Sequence, residues 1–114
     1  LAPVAPAIFS SGVLNQDYSV NGASAPAPLG SVLQIFLTGL VSPQTGQVLV
    51  KIHDQDNLVP LYAGPAPGLP GVHQVNVAVP RDLPAMTTEV VVCASTQADA
   101  GKRFCTPPAR LTVR

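Results

Sequence analysis

The sequence predicts an all-β protein, an immunoglobulin-like antiparallel β-sandwich, and three observations carry that expectation. Apolar and polar residues alternate with a period of two in segment after segment. Thirteen prolines and nine glycines in 114 residues work against long helices, because proline lacks an amide hydrogen and clashes with the preceding turn. Turn-forming clusters recur between the alternating segments, at a spacing that suits two packed sheets, with a closed barrel as the structural alternative.

Taken in order, Val13 to Asn21 reads as a small hairpin at one end of the sandwich, with Asn15, Asp17 and Ser19 suited to its turn. Ala25 to Gly30, carrying Pro26 and Pro28, is a stiff loop leading into a strand over Ser31 to Thr38. There Leu33, Ile35 and Leu37 share one face and Val32, Gln34 and Phe36 the other. Ser42 to Gly46 reads as a turn, followed by a strand over Gln47 to His53 with Val48, Val50 and Ile52 inward. Gly64 to Gly71 is the densest proline–glycine loop. The strand His73 to Val79 sets Val75, Val77 and Val79 inward and Gln74 and Asn76 outward. Pro80 to Pro84 is a turn, and the β-branched run Glu89 to Ala94 reads as a central strand. In the last segment Leu111 and Val113 face in, with Arg110, Thr112 and Arg114 facing out. No window holds a convincing amphipathic helix, and no internal repeat is visible.

A hydrophobic fraction of 46% with only 11% charged residues suits one globular domain, read as residues 1–114. Six basic and six acidic residues cancel without clustering, which argues against nucleic acid and against a polybasic membrane tether. No apolar run approaches the roughly 20 residues of a membrane-spanning helix, so membrane insertion is not expected.

The order of short segments adds a resemblance. Pro6-Ala7-Ile8-Phe9, Val13 to Asn21 and Pro28 to Ser31 come first. Thr38-Gly39-Leu40, Leu61 to Gly68, Gln74-Val75-Asn76-Val77 and Val79-Pro80 follow. Together they resemble the uncharacterised C-terminal domain of large extracellular proteins of Solibacter-type acidobacteria, over nearly the whole chain. The resemblance implies a β-rich bacterial module at the end of a larger secreted protein, and it transfers no catalytic residue because the family has no assigned activity. Two departures stand out. Tyr18 occupies a position where the family usually has glycine, and the cysteine pair is not a family hallmark.

Cys93 and Cys105, the only cysteines, flank a polar loop containing Asp99, Gly101 and Lys102. Two strands returning antiparallel would join them in a disulfide worth roughly 3 kcal/mol, which implies an oxidising compartment and a secreted or cell-surface setting. Two free buried thiols are the alternative. Their spacing is unlike a zinc knuckle, and their late position and the absence of Trp are unlike the antibody inter-sheet bridge.

The catalytic inventory is thin. His53 and His73 read as surface histidines on separate strands, and no G-x-S-x-G elbow, phosphate loop or dinucleotide fingerprint occurs. Asn15, Asp17, Ser19 and Asn21 alternate as oxygen ligands do in some calcium loops, but a hairpin turn is the preferred reading. Asp54, Asp56 and Asn57 read as a solvated turn. For ligand contact the candidate is the loop carrying Tyr62, Pro65, Pro67 and Leu69, together with Tyr18. Tyr62 packed on the sandwich rim is the plainer reading.

The expectation is therefore a non-enzymatic extracellular module, structural or protein-binding, without a cofactor and monomeric as an isolated domain. Its partner would be a protein or a polysaccharide. A carbohydrate-binding module and an export or surface-anchoring tail are the alternatives.

Overall fold

The computed structural model describes residues 6–38, 45–96 and 103–114. Ser42, Pro43 and Gln44 of the expected turn, and Asp99, Gly101 and Lys102 of the polar loop, lie outside them. Among the described residues there is no helix, and the strands are β1 (Ala7–Leu14), β2 (Val32–Thr38), β3 (Thr45–Ile52), β4 (Gln55–Leu58), β5 (Tyr62–Pro65), β6 (His73–Ala78), β7 (Met86–Thr96), β8 (Arg103–Cys105) and β9 (Ala109–Val113). They build two antiparallel sheets. One has the order β1-β2-β6-β5; the other has the order β4-β3-β7, with β8 and β9 both pairing along β7.

Taken as one interrupted edge strand, β8 and β9 complete the strand order of an immunoglobulin sandwich, A-B-E-D against C′-C-F-G. The interruption has a local cause. Pro107 and Pro108 have no amide hydrogens to give, so the ladder cannot run through them. Thr106 bridges the gap: its amide donates to the Val92 carbonyl at 2.9 Å, and its buried hydroxyl accepts the Val92 amide at 3.1 Å. Pairing resumes at Ala109 opposite Val90.

The alternation read from the sequence sets the core. Leu33, Ile35, Leu37, Val75 and Val77 from the first sheet meet Val50, Ile52, Val90, Val92, Leu111 and Val113 from the second. Every one of these side chains is aliphatic and essentially inaccessible. Ala27, Val79 and Leu83 close the gap at the end where β2 begins and β9 finishes. Full burial of each side chain stabilises by about 1.5–3 kcal/mol against exposure, offset by the entropy of ordering the chain.

Three strands were not visible in the alternation, β1 among them, since only its last two residues fell in the expected hairpin. Residues 55–58, expected as a solvated turn, form β4, and residues 62–65, expected within a loop, form β5. In β1 the pairing advances from Ile8↔Leu37 to Val13↔Ile35, so Phe9 to Gly12 hump outward as a bulge. Ser11 takes a φ of 59° there, and a Cβ on Gly12 would lie 2.7 Å from the Phe9 carbonyl oxygen and 2.8 Å from that of Phe36. Only glycine fits such an approach.

His73 needs a correction. It shares the parity of Val75 and Val77 and pairs with Leu37, so it begins the inward row of β6. It is half-buried, and its Nδ1 is enclosed without a hydrogen-bond partner, unlike a surface histidine. His53 is exposed, as expected.

Each sheet edge carries a device that hinders further pairing. β1 is bulged, β4 holds Asp56 and an irregular register, β5 is short and ends at Pro65, and the β8–β9 edge is broken by the proline pair. The parity of the core is directly testable. Ile35→Ala should lower the unfolding free energy by about 3 kcal/mol, and Lys51→Ala on the outer face of β3 should change it by less than about 0.5 kcal/mol, both measured by chemical denaturation.

Candidate binding surface

The residues that could form a site sort onto three places. The first is the β5–β6 connection. Ala66-Pro67-Gly68-Leu69 and Leu69-Pro70-Gly71-Val72 are two successive turns, closed by Leu69 N–H to Ala66 O at 3.2 Å and Val72 N–H to Leu69 O at 3.1 Å. Proline precedes a glycine of φ 76° in the first and of φ 80° in the second, the pattern of paired type II turns. Leu69, at their junction, is exposed on a stiff loop.

Tyr62 lies on β5 and not on that loop. Its hydroxyl donates to the Pro65 carbonyl at 2.7 Å, so the ring folds along its own strand over Gly64. A Cβ on Gly64 would sit 2.9 Å from the Tyr62 hydroxyl oxygen, so glycine makes room for the ring. Tyr18 is far from Pro67 and Leu69. It follows the end of β1, where the β2 strand starts, whereas they cap the opposite end. The five candidate contact residues therefore do not converge on one patch.

Tyr18 is 72% exposed and takes a φ of 71°, the left-handed conformation that suits glycine. The turn thus keeps a glycine-type backbone with an aromatic residue in place, at a cost of roughly 1–2 kcal/mol.

The second place is this same β1–β2 connection, where Asn15, Asp17, Ser19 and Asn21 stand together. Their oxygens are engaged by side-chain and backbone donors of the same segment and of β9. Asn15 Nδ2 donates to Ser19 Oγ at 3.0 Å and to the Ala25 carbonyl at 2.7 Å. Asn21 Nδ2 donates to Asn15 Oδ1 at 2.9 Å and to the Thr112 carbonyl at 2.8 Å. Asn21 Oδ1 in turn accepts the Thr112 amide at 2.8 Å, so one side-chain amide pairs with β9 as a strand residue would. The Ser19 hydroxyl and then its amide donate to Asp17 Oδ1, and they hold that carboxyl below its ordinary pKa. The alternating oxygens form a two-asparagine latch between the β1–β2 connection and β9. An open groove of about 720 Å³, lined by Asn15, Asp17, Ser24 and Ser31 among others, runs beside it.

The third place is the outward face of the β1-β2-β6-β5 sheet. Cross-strand partners form two rows: Leu14–Gln34–Asn76–Tyr62, and Phe36–Gln74–Gly64. The four strands contain no Asp, Glu, Lys or Arg, whereas each of β3, β4, β7, β8 and β9 contains one. The outward side chains here are amides and rings among small or aliphatic residues such as Leu14, Val32 and Ala78. Sequence parity placed Gln34 and Phe36 on one face, and Gln74 and Asn76 on another. Only the antiparallel pairing of β2 with β6, which sets Gln34 opposite Asn76 and Phe36 opposite Gln74, joins them into a single uncharged surface.

Cys93 and Cys105 are bonded, with Cα atoms 4.0 Å apart, directly opposite each other on β7 and β8. The bond lies on the outer face of the second sheet, beside Leu49, and joins neighbouring strands of one sheet. Asp56 caps the Asn57 amide at 2.7 Å, and Asn57 Oδ1 accepts from Arg103 at 2.8 Å. His53 Nδ1 lies 3.0 Å from the Thr88 hydroxyl. Among the described residues no hydrogen bond joins a histidine to a carboxylate, and no three His, Cys, Asp or Glu side chains are grouped to hold a metal ion.

Two outcomes follow from these contacts. Tyr18→Gly should raise the unfolding free energy by about 1 kcal/mol, read as a higher denaturation midpoint at constant slope. Reduction of the Cys93–Cys105 bond should lower it by about 3 kcal/mol, measured in denaturant with and without a reductant. The chain matches no known family model and none of the curated proteins.

Proposed function

We propose that this chain is a non-catalytic extracellular interaction module that meets its partner through the uncharged outer face of the β1-β2-β6-β5 sheet. The observation that carries the reading is the segregation of charge: amides, rings and uncharged aliphatic side chains on one sheet, every strand charge on the other. Solvated sheet faces ordinarily carry charged residues, and charge depletion with aromatic side chains is the compositional mark of an interface core. The disulfide is in keeping with an oxidising compartment. The resemblance to the C-terminal domains of secreted acidobacterial proteins supports a place at the end of a larger extracellular chain.

Carbohydrate binding is the second reading, favoured by the same amides. Gln34, Gln74 and Asn76 each offer both donors and acceptors, as neutral sugar hydroxyls require, beside the ring of Tyr62.

A photo-crosslinking residue at position 36 in the full secreted protein should capture a partner, and Gln74→Lys, which sets a charge in the middle of the face, should abolish that capture without unfolding the domain. Capture only from the opposite sheet would reject the face. Affinity electrophoresis in neutral polysaccharide gels separates the two readings, because retardation lost in Gln74→Lys and Tyr62→Ala identifies a sugar as the partner. Reproducible hydrolysis by the isolated domain would overturn both.

A further inference from the structure

We propose that Asn21–Gly22 is a latent modification site: the native latch suppresses conversion of the Asn21 amide to an acid, and unfolding releases it. The chemistry needs only this dipeptide and water. The Gly22 backbone nitrogen attacks Asn21 Cγ, the Cγ–Nδ2 bond breaks, and ammonia leaves with the proton from the Gly22 amide. Water then opens the resulting five-membered imide to aspartate or isoaspartate. Glycine at the following position leaves the attacking nitrogen uncrowded, so of the chain's asparagines Asn21 is the one predisposed to react: Asn15, Asn57 and Asn76 precede Gln16, Leu58 and Val77.

The fold holds every atom of that reaction away from it. Both Nδ2 hydrogens of Asn21 are donated, to Asn15 Oδ1 and to the Thr112 carbonyl, and Oδ1 accepts from the Thr112 amide. The Asn21 amide donates to the Val13 carbonyl at 2.9 Å. The attacking group is occupied as well, since the Gly22 amide donates to the Ala25 carbonyl at 3.2 Å and the Gly22 carbonyl accepts from the Ala25 amide at 3.1 Å. Cyclisation therefore requires an opening that breaks several bonds. Each broken bond slows the reaction about fivefold, so at least three together give about 100-fold or more.

The product cannot rebuild the latch. An aspartate has no hydrogens to give at neutral pH, so its oxygens would face Asn15 Oδ1 and the Thr112 carbonyl, acceptor against acceptor. An isoaspartate adds a backbone carbon between residues 21 and 22 and displaces the Gly22–Ala25 pairing. Each unfolding episode thus marks a fraction of chains permanently.

The test incubates the 114-residue chain at mildly alkaline pH in native buffer and in guanidinium chloride, with fragmentation mass spectrometry to locate amide-to-acid conversion. Conversion at Asn21 should be about 100-fold faster in the denatured chain. Gly22→Ala supplies the second arm. A Cβ there meets nothing within 4 Å, so this variant should fold as the parent does and convert much more slowly when denatured. Asn15→Ala, which removes one acceptor of the latch, should raise conversion in native buffer. Equal rates in the two buffers would overturn the proposal. So would a denatured chain that converts elsewhere while Asn21 stays intact.

Discussion

The structure rests on a dry gap between two sheets, filled from both sides by aliphatic side chains. Among the described residues no buried one in that layer is aromatic, and β-branched valine and isoleucine dominate it. Such side chains are stiff and fit a pleated surface closely. A core of this kind tolerates little slippage, because moving any strand by one residue would turn its valines to water and its polar neighbours inward. Register is therefore set by burial, and the cross-strand rows on the outside follow from it. The uncharged outer face is in this sense a by-product of the core made visible: once Leu33, Ile35, Val75 and Val77 are fixed inside, Gln34, Phe36, Gln74 and Asn76 must stand together outside.

Burial alone does not close the ends of the sandwich. At one end the chain uses Asn21, whose side-chain amide, held by Asn15, reproduces the pairing that backbone would make in a longer strand. At the break between β8 and β9 it uses the Thr106 hydroxyl in the same manner. In both places a polar side chain satisfies a backbone group that would otherwise be left unpaired, which would cost about 1–3 kcal/mol per group. The two devices hold the two ends of β9, Thr106 leading into it and Thr112 near its finish. The disulfide lies just before the break, on the three-residue β8 segment.

How much of this was legible depends on whether the information was local. The inward rows of β2, β3, β6 and β9 could be read directly, because alternation is written in consecutive residues, whereas β7 read only as a continuous β-branched run. The cysteine pairing could be read from one antiparallel return. β5 was hidden because Pro65 and Gly64 look like loop residues, and only its pairing with β6 makes Tyr62 to Pro65 a strand. β4 was hidden by its charge and its neighbouring turn. The inward placement of His73 was available from parity with Val75, but its flanking polar residues argued the other way. Tyr18 illustrates a different limit: an aromatic side chain gives no local sign of a left-handed backbone, which the surrounding hydrogen bonds impose. The oxygen-rich segment from Asn15 to Asn21 resembled a cation loop because spacing shows residue types and not where their lone pairs point.

The unfriendly edges have a consequence for crowded settings. Amyloid growth and strand exchange both begin when an exposed strand offers a straight, repeating row of free amides and carbonyls to a neighbouring chain. Here the hump at Phe9 to Gly12, the proline ending β5, the irregular β4 and the proline pair before β9 interrupt each such row. Many copies packed side by side on a surface or along a fibre would touch through side chains, and would lack a template for zipping their backbones together.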